Sequence, residues 1–259
     1  MRVTSHRYAS GRLTITAVIC AYNEAHHLPA CIFSLLAQTR PPDEIIVINN
    51  ASTDDTGEVA RAIARCAPSV RVVDEPAKGL VVARETARHA ARGSVLAYVD
   101  ADCRAPLRWL ERVEAQFTKT PSAVAVTGPY KFYDWDAVGR IVVGTYDVVV
   151  APPTHLLVHH VFGLGAILYG GNFAVRTDAL ARINGFDRRI EFHGEDTNLG
   201  RRLAAIGRVK LCRDCWVWTS ARRYVAMGKR KVFSLYVRNF WSEILRHRPA
   251  DREHLDVRV

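Results

Sequence analysis

Strand-like apolar runs alternate with amphipathic helical segments through the first hundred residues of this 259-residue chain. The predicted strands are rich in Val and Ile and cover residues 13–20, 44–49, 70–74 and 94–100. The helices predicted between them cover residues 24–39, 55–66 and 78–92. Continuous apolar strands separated by helices indicate a mostly parallel sheet that is buried on both faces. We therefore predict an α/β fold with a central, mostly parallel sheet flanked by helices.

The pattern loosens after residue 106. We predict a helix over 106–119, a strand over 123–128 and then an aromatic, β-rich stretch. A short strand within 216–224 lies between two further predicted helices, over 195–206 and 228–246. No segment approaches the roughly 20 uninterrupted apolar residues that cross a bilayer. We therefore expect no membrane-spanning helix.

The net charge of +10 is concentrated near the C-terminus. Residues 201–259 contain 15 of the 36 Lys and Arg, but only 5 of the 26 Asp and Glu. This asymmetry indicates contact with an anionic partner, although a solvated basic face would give the same count. No nucleic-acid-binding motif accompanies it, so we expect no nucleic-acid partner. The scattered cysteines favour a reduced, intracellular protein over a zinc site.

Two carboxylates one residue apart, Asp100 and Asp102, end the fourth predicted strand in the motif "VDADC". Residues i and i+2 of an extended segment can point the same way, and parallel sheets bind ligands beyond the carboxyl ends of their strands. Carboxylate oxygens are the ligands of hard cations such as Mg²⁺ and Mn²⁺. The motif therefore predicts a divalent-cation site. A simple turn, which Asp favours, is the alternative.

A second polar motif, "AYNE", follows the first predicted strand. Tyr22 offers a face on which a base can stack, while Asn23 and Glu24 offer hydrogen bonds to a base or a ribose hydroxyl. The alternative is a helix start, with Asn23 as the N-cap and Glu24 in the first turn.

Three segments together resemble glycosyltransferase family 2 in their order and spacing. They are "ITAVICAYNEAHHLPACIFSLLAQTRPPDEIIVINNASTDDT", "KGLVVARETARHAARGSVLAYVDAD" and "HGEDTNLGRRLAAIG". The resemblance covers residues 13–211 and implies the GT-A fold and a nucleotide-sugar donor. It also implies a domain over 13–225, with a nucleotide-binding half (13–105) and an acceptor half (106–225). A tail (1–12) would precede this domain, and a basic, aromatic helical extension (226–259) would follow it.

The resemblance assigns donor-binding roles to several residues. It implies that Tyr22, Asn23 and Glu24 line the nucleotide pocket and that Asn50 contacts the base. The family usually has Asp or Asn at the position of Asn50, and an amide both donates and accepts hydrogen bonds, so the identity of the base stays open.

The resemblance also implies where charged groups act. Lys78 and Arg84 would lie near the diphosphate, although Arg84 could instead form an ion pair on the surface of its helix. Asp102 would be the metal ligand, with Asp100 nearer the ribose or the water shell of the metal. Asp196 would be the general base, as in inverting members of the family. The alternative for Asp196 is a carboxylate at the start of a helix.

These observations lead us to expect an inverting, metal-dependent glycosyltransferase that uses Mn²⁺ or Mg²⁺ and a nucleotide-sugar. Trp and Tyr beside Lys and Arg in residues 219–246 favour peripheral membrane contact, with core packing of this helix as the alternative. We therefore expect a lipid-linked or cell-envelope acceptor and a cytoplasmic location at the inner face of the membrane. The other functions considered are a degenerate nucleotide-sugar-binding module and a metal-dependent nucleotidyltransferase, for which the loop after the first strand lacks the expected glycines.

Overall fold

The computed structural model describes residues 12–190, 194–247 and 250. Within these residues the strands are β1 (Ile15–Ala21), β2 (Glu44–Asn50), β3 (Val70–Glu75), β4 (Val95–Asp100), β5 (Ala123–Thr127), β6 (Tyr130–Phe132), β7 (Asn172–Arg176), β8 (Arg208–Leu211) and β9 (Val217–Thr219). The α-helices are α1 (Leu28–Leu36), α2 (Thr56–Cys66), α3 (Leu80–Ala90), α4 (Trp109–Lys119), α5 (Ala137–Thr145), α6 (Ala151–His155), α7 (Thr177–Arg182), α8 (Glu195–Ala204), α9 (Arg222–Met227) and α10 (Lys229–Arg246). Residues 1–11 of the predicted tail lie outside the described residues, as do residues 248–249 and 251–259 of the predicted helical extension.

Seven strands form the central sheet in the order β3-β2-β1-β4-β7-β5-β8. The pairs among β1 to β4 are parallel, whereas β7 runs antiparallel to both β4 and β5. β6 and β9 form a separate parallel pair. The prediction of a mostly parallel sheet flanked by helices is confirmed. The order of the strands places the carboxyl ends of β1, β2 and β4 next to one another.

The core lies on both faces of this sheet because successive strand residues point to opposite faces. Ile15, Ala17 and Ile19 of β1 pack into one buried cluster, with α1 and α4 above them. Val18 of the same strand packs into the second cluster, with α3 and α8. Every residue of β1 except Cys20 is fully buried. Burial on both faces explains why β1 shows a continuous apolar run instead of alternation.

The helix predicted over 24–39 is shorter in the structure, where α1 covers Leu28–Leu36. Pro29 lies in the first turn of α1, where its fixed φ and missing N–H are tolerated. Residues 22–27 form turns that connect β1 to the helix. This difference matters because it leaves the "AYNE" motif on a loop at the edge of the sheet.

The prediction of a β-rich stretch after residue 128 is wrong beyond the short strand β6. Residues 137–161 form a helical arm made of α5, α6 and two π-helical turns, Tyr146–Val150 and Leu156–Val161. Its Val-rich sequence favours strands by local preference, yet the segment is helical and most of its valines are exposed. The expectation of no membrane-spanning helix stays a prediction. The arm is long and apolar enough to cross a membrane by length and composition, which alone is weak evidence of a span.

The C-terminal part contains the predicted helices, with bounds that differ by a few residues. The segment predicted as a strand over 216–224 is β9 followed by the short helix α9. The predicted domain boundary after residue 225 falls within α9. Helix α10 packs on the domain through one face, which includes Val232, Leu235 and Ile244. Its other face carries exposed aromatic and basic side chains.

Candidate functional site

The loop after β1 is joined to the loop after β2 by Asn23. Asn23 has a φ of +51°, and its side-chain carbonyl accepts a hydrogen bond from the backbone N–H of Thr53 at 2.9 Å. Its own N–H donates to the hydroxyl of Ser52 at 3.2 Å. Because α1 begins at Leu28, the alternative in which Asn23 caps this helix is wrong. Asn23 therefore holds two loops of the sheet edge together.

Tyr22 and Lys78 form a contact between the loop after β1 and the loop that precedes α3. The ammonium of Lys78 donates a hydrogen bond to the hydroxyl of Tyr22 at 2.7 Å and lies 3.9 Å from the centre of its ring. The two residues are 56 positions apart in the sequence. The fold thus brings an aromatic face and a cation to the same point of the edge.

Asn50 is buried at the end of β2, and its amide binds the backbone of the next loop. Its NH₂ group donates to the carbonyls of Glu75 and Ala77, at 3.2 and 2.7 Å, and its carbonyl accepts from the N–H of Gly79 at 2.9 Å. Both N–H donors of the side chain are therefore used within the protein. Its role toward a base stays a prediction, while its role in shaping the loop that carries Lys78 follows from these bonds.

Asp100 ends β4 and packs against the backbone of Gly171. A Cβ atom built on Gly171 would lie 2.1 Å from Oδ2 of Asp100 and 2.9 Å from the hydroxyl of Tyr130. The N–H of Gly171 bonds that hydroxyl at 2.5 Å. Such close approach requires a residue without a side chain at position 171. Gly171 therefore sets where the carboxylate of Asp100 can lie.

Arg222 joins two of the predicted site acids, Glu24 and Asp102. Its guanidinium binds both carboxylate oxygens of Glu24, with Nη1 at 3.0 Å from Oε2, and its Nη2 lies 3.0 Å from Oδ2 of Asp102. Arg222 and Glu24 are 198 residues apart in the sequence. The hydroxyl of Thr219 lies 3.4 Å from Oδ1 of Asp102.

The carboxylates around Arg222 carry more negative charge than one guanidinium offsets. The pKa of Asp102 is raised to about 6, mainly by burial and also by the nearby charges of Asp100 and Glu24, against the lowering effect of Arg222. Burial and the charge of Arg222 lower the pKa of His27, which is close enough to interact with Asp102. Several carboxylate oxygens with surplus negative charge fit a hard divalent cation. Asp102 and its neighbours Asp100 and Glu24 are thus suitable residues to hold one.

A second acidic pair, Glu195 and Asp196, lies in the first turn of α8 beside Arg84. Gly194 precedes the helix with a φ of +86°, which favours glycine. The buried guanidinium of Arg84 lies 3.4 Å from Oε1 of Glu195 and donates to the carbonyl of Gly170 at 2.6 Å. The alternative of a surface ion pair for Arg84 is therefore wrong. Arg84 ties α3 to the first turn of α8.

Burial raises the pKa of Asp196 even though the N–H and hydroxyl of Thr197 bind its Oδ1. Burial raises the pKa of Glu195 as well, and the charge of Asp196 adds to this effect. A Cβ atom on Gly170 would lie 3.4 Å from Oδ2 of Asp196. A carboxylate with a raised pKa is a better proton acceptor than an ordinary one.

Two successive glycines connect the two acidic groups. Gly170 lies against Asp196, and Gly171 lies against Asp100. The strand β7 that follows them pairs directly with β4, which fixes this loop beside the end of β4. The structure therefore brings together, at one edge of the sheet, acids that are almost a hundred residues apart in the sequence.

The sequence interpretation missed Arg222 as a site residue. The motif "TSARRY" identified its basic character but assigned it to a membrane-facing loop. No spacing rule connects residue 222 to residue 24, because their contact depends on how α9 folds back over the end of β1. A signal did exist in the three acids predicted for the site, since buried carboxylates require a cationic partner.

Comparisons with known proteins agree with this fold. The family profile described as glycosyl transferase family 2 matches residues 16–183. Among curated relatives, glycosyltransferase AglE of Haloferax volcanii is 32% identical over 101 residues, which are 38% of this chain and 33% of that protein. The uncharacterized glycosyltransferase YibD of Escherichia coli is 38% identical over 88 residues, which are 34% of this chain and 26% of that protein. These matches span about a third or less of the relatives' own length.

Solved structures resemble the whole domain. A mannosyltransferase from Pyrobaculum calidifontis, in complex with GDP-Man and Mn²⁺, has a TM-score of 0.69 at 24% identity and matches 92% of this chain and 65% of its own. S. aureus TarS in complex with UDP-GlcNAc has a TM-score of 0.62 at 17% identity and matches 80% of this chain and 58% of its own. At these identities the likeness concerns the fold, which is of the GT-A type. The profile match covers most of the chain and agrees with this fold, so this protein belongs to glycosyl transferase family 2.

Proposed function

We propose that the protein is an inverting glycosyltransferase that moves a sugar from a nucleotide-diphosphate donor to a hydroxyl group of an acceptor. The observation that carries this proposal is the meeting of two acidic groups across Gly170 and Gly171. One group, around Asp102, suits a cation and a diphosphate. The other contains Asp196, which suits a general base. Transfer with inversion needs both, because the leaving group and the acceptor hydroxyl lie on opposite faces of the sugar carbon.

In this proposal Asp196 accepts the proton of the acceptor hydroxyl as its oxygen attacks the anomeric carbon and the bond from that carbon to the diphosphate breaks. Arg84 holds the first turn of α8 in place by its contacts with Glu195 and Gly170. Asp102, with Asp100 and Glu24 nearby, would hold Mn²⁺ or Mg²⁺, which when bound would offset the charge of the diphosphate. The complex of the Pyrobaculum mannosyltransferase with GDP-Man and Mn²⁺ supports this part of the proposal.

Arg222 has two tasks in this proposal. Without donor it offsets the charges of Glu24 and Asp102. With donor bound it moves off Asp102 and turns toward the diphosphate, since a guanidinium binds phosphate oxygens well. Arg222 is the first residue of α9, and this helix ends at Met227, just before Gly228, where a φ of +86° allows a sharp change of direction.

The test is a thermal-shift screen with UDP-, GDP- and dTDP-sugars, each with and without Mn²⁺. A donor that binds the native state raises the melting temperature, and a hundredfold excess over Kd contributes about 2.7 kcal/mol. We expect one nucleotide class to stabilise the protein more with Mn²⁺ than without it. The matched donor should then release its nucleoside diphosphate when an acceptor is supplied. No stabilisation by any nucleotide-sugar would contradict the proposal.

We also propose a cytoplasmic location at the inner face of the cell membrane, and a lipid-linked or cell-envelope acceptor. The support is the exposed face of α10, which combines Phe233 and Trp241 with Arg230, Lys231 and Arg238. Such a face suits an anionic headgroup layer. Replacing Arg230 and Lys231 by Ser should weaken binding to vesicles that contain phosphatidylglycerol, measured by co-sedimentation at low salt. Equal binding by this variant would contradict peripheral contact through residues 219–246.

A further inference from the structure

The helical arm (137–161) carries an apolar surface that faces away from the domain. Eleven large apolar side chains of the arm and the next three residues are between 42% and 67% exposed: Val138, Ile141, Val142, Val148, Val149, Val150, Leu156, Leu157, Val161, Phe162 and Leu164. Single exposed apolar residues are ordinary, but this many on one helical arm mark an interaction site. We call these residues the apolar arm surface.

Polar contacts hold the arm against the domain along its length. Asp147 is buried and accepts a hydrogen bond from the hydroxyl of Tyr169 at 2.5 Å. His155 is also buried, with its Nε2 3.0 Å from the carbonyl of Val209 and its Nδ1 accepting the N–H of Ile167 at 3.2 Å. Nε2 of His159 accepts the N–H of Val209 at 3.0 Å. A helix crossing a bilayer would lose these contacts, so the arm lies along the protein.

The edge of the central sheet explains why histidines occur in an otherwise apolar arm. Val209 belongs to β8, the last strand of the sheet, and both its backbone groups bind histidines of the arm. An open strand edge invites pairing with other chains unless it is covered. The arm covers this edge with one side and presents its apolar surface on the other.

The basic face of α10 continues the apolar arm surface. The rings of Tyr146 and Phe233 are in edge contact with their centres 6.1 Å apart, and Lys229 binds Asp136 at 2.5 Å just before α5. The exposed residues of α10 include several cations, whereas its acid, Glu243, is fully buried. An apolar surface bordered by aromatic rings and positive charge is complementary to the interface of an anionic bilayer.

We propose that the apolar arm surface enters the interface of an anionic lipid bilayer, with the basic face of α10 on the headgroups. This contact differs from the one proposed above for residues 219–246, because it involves the helical arm and depends on the burial of aliphatic side chains. Headgroup attraction is weakened by salt, whereas burial of aliphatic side chains is not. The two contributions can therefore be measured separately.

The test compares three forms of the full chain by flotation with vesicles of phosphatidylcholine and phosphatidylglycerol, at low and at high salt. The wild type should bind at both. The double variant Val149→Ser/Leu157→Ser should lose roughly tenfold in partitioning, most clearly at high salt, because two aliphatic side chains no longer enter the interface. The control Phe33→Ser removes an apolar side chain of α1 that is 57% exposed, and it should bind like the wild type.

Several outcomes would overturn the inference. Equal flotation of the double variant and the wild type would do so, as would retention of the wild type in the membrane after alkaline carbonate extraction, which indicates a spanning helix. A wild type that ignores vesicles but forms dimers by light scattering, with the double variant monomeric, would assign the surface to a second copy of this chain. Melting curves of both variants establish that they are folded. Nucleotide-sugar binding, measured without vesicles, should be unchanged in the double variant, which separates this inference from the proposed enzymatic function.

Discussion

The acidic edge of the sheet buries charged side chains, whereas the helical arm exposes apolar ones. At the sheet edge, the buried carboxylate of Glu24 and the partly buried carboxylate of Asp102 share the guanidinium of Arg222. In the arm, apolar side chains are exposed while its polar groups Asp147 and His155 are buried. A protein interior disfavours charge, and water disfavours apolar surface. Both arrangements therefore indicate a binding partner. The carboxylates of the sheet edge suit a cation, whereas the exposed side chains of the arm suit an apolar surface.

The largest effect that we expect concerns the acidic edge. Asp102→Asn removes the carboxylate best placed to hold a cation, so metal-dependent transfer should be abolished. Initial rates with and without added Mn²⁺ measure this. The matched control is Asp178→Asn on α7, an exposed carboxylate away from the site. Full metal-dependent activity of Asp102→Asn would disprove its role as a ligand.

Asp196→Asn should lower turnover roughly 100-fold or more, because an amide cannot accept the proton of the acceptor hydroxyl. Donor binding should change little, since this side chain lies on the acceptor side of the proposed reaction. Initial rates and calorimetric titration with the donor separate the two effects. If binding and turnover fell together, Asp196 would be a structural residue instead of a base.

Arg222→Gln should destabilise the protein without added cation by about 3–4 kcal/mol, because Glu24 and Asp102 lose the charge that balances them. Added Mn²⁺ should restore more of the melting temperature in this variant than in the wild type. Thermal denaturation with a titration of Mn²⁺ measures both. A variant as stable as the wild type would show that Arg222 does not balance these acids.

The stability that His155 of the helical arm contributes should be lost in acid. Burial is the main cause that lowers the pKa of His155, from 6.5 to about 4, and the charges of His160 and Lys210 add to this effect. The stabilisation from its neutral form is therefore complete above pH 6.5 and is lost as the pH falls toward 4. The loss amounts to roughly 3 kcal/mol. Denaturant unfolding of the wild type and of His155→Gln across this range should show a smaller pH dependence for the variant, and identical curves would contradict the prediction.

The smallest effect concerns glycines in the two regions. Gly171→Ala places a methyl group against Asp100 and should cost about 1–3 kcal/mol of stability together with some activity. Gly144→Ala lies in the arm, where nothing is within 4 Å of the added atom. It should be neutral or stabilising by up to about 1 kcal/mol, since alanine favours helix. Equal destabilisation by both changes would mean that the close approach of Gly171 to Asp100 carries no cost.

The sheet strands of the first half were predicted almost to the residue, because β1, β2 and β4 are largely apolar on both faces and helices separate all four strands. The arm was not predicted, because its Val-rich sequence favours strands locally whereas residues 137–161 are helical in the structure. Local strand preference predicts secondary structure correctly where the pattern of burial agrees with it. It predicts secondary structure wrongly where tertiary contacts favour another conformation. The exposed basic and aromatic side of α10 was noticed from the sequence, whereas the larger apolar surface beside it was not.

The sequence alone determined the α/β class and the loops that carry the polar residues, since both follow from local periodicity and from short motifs, and the same motifs carried the resemblance to the family. Tertiary structure alone decided which of those residues meet. It placed Arg222 on Glu24 and Asp102, and Arg84 on Glu195, across distances in sequence that no local rule spans. It also decided which side of the arm faces outward. The physical reason is that the neighbours of a buried charge or of an exposed apolar side chain come from distant parts of the chain, and only folding brings those parts together.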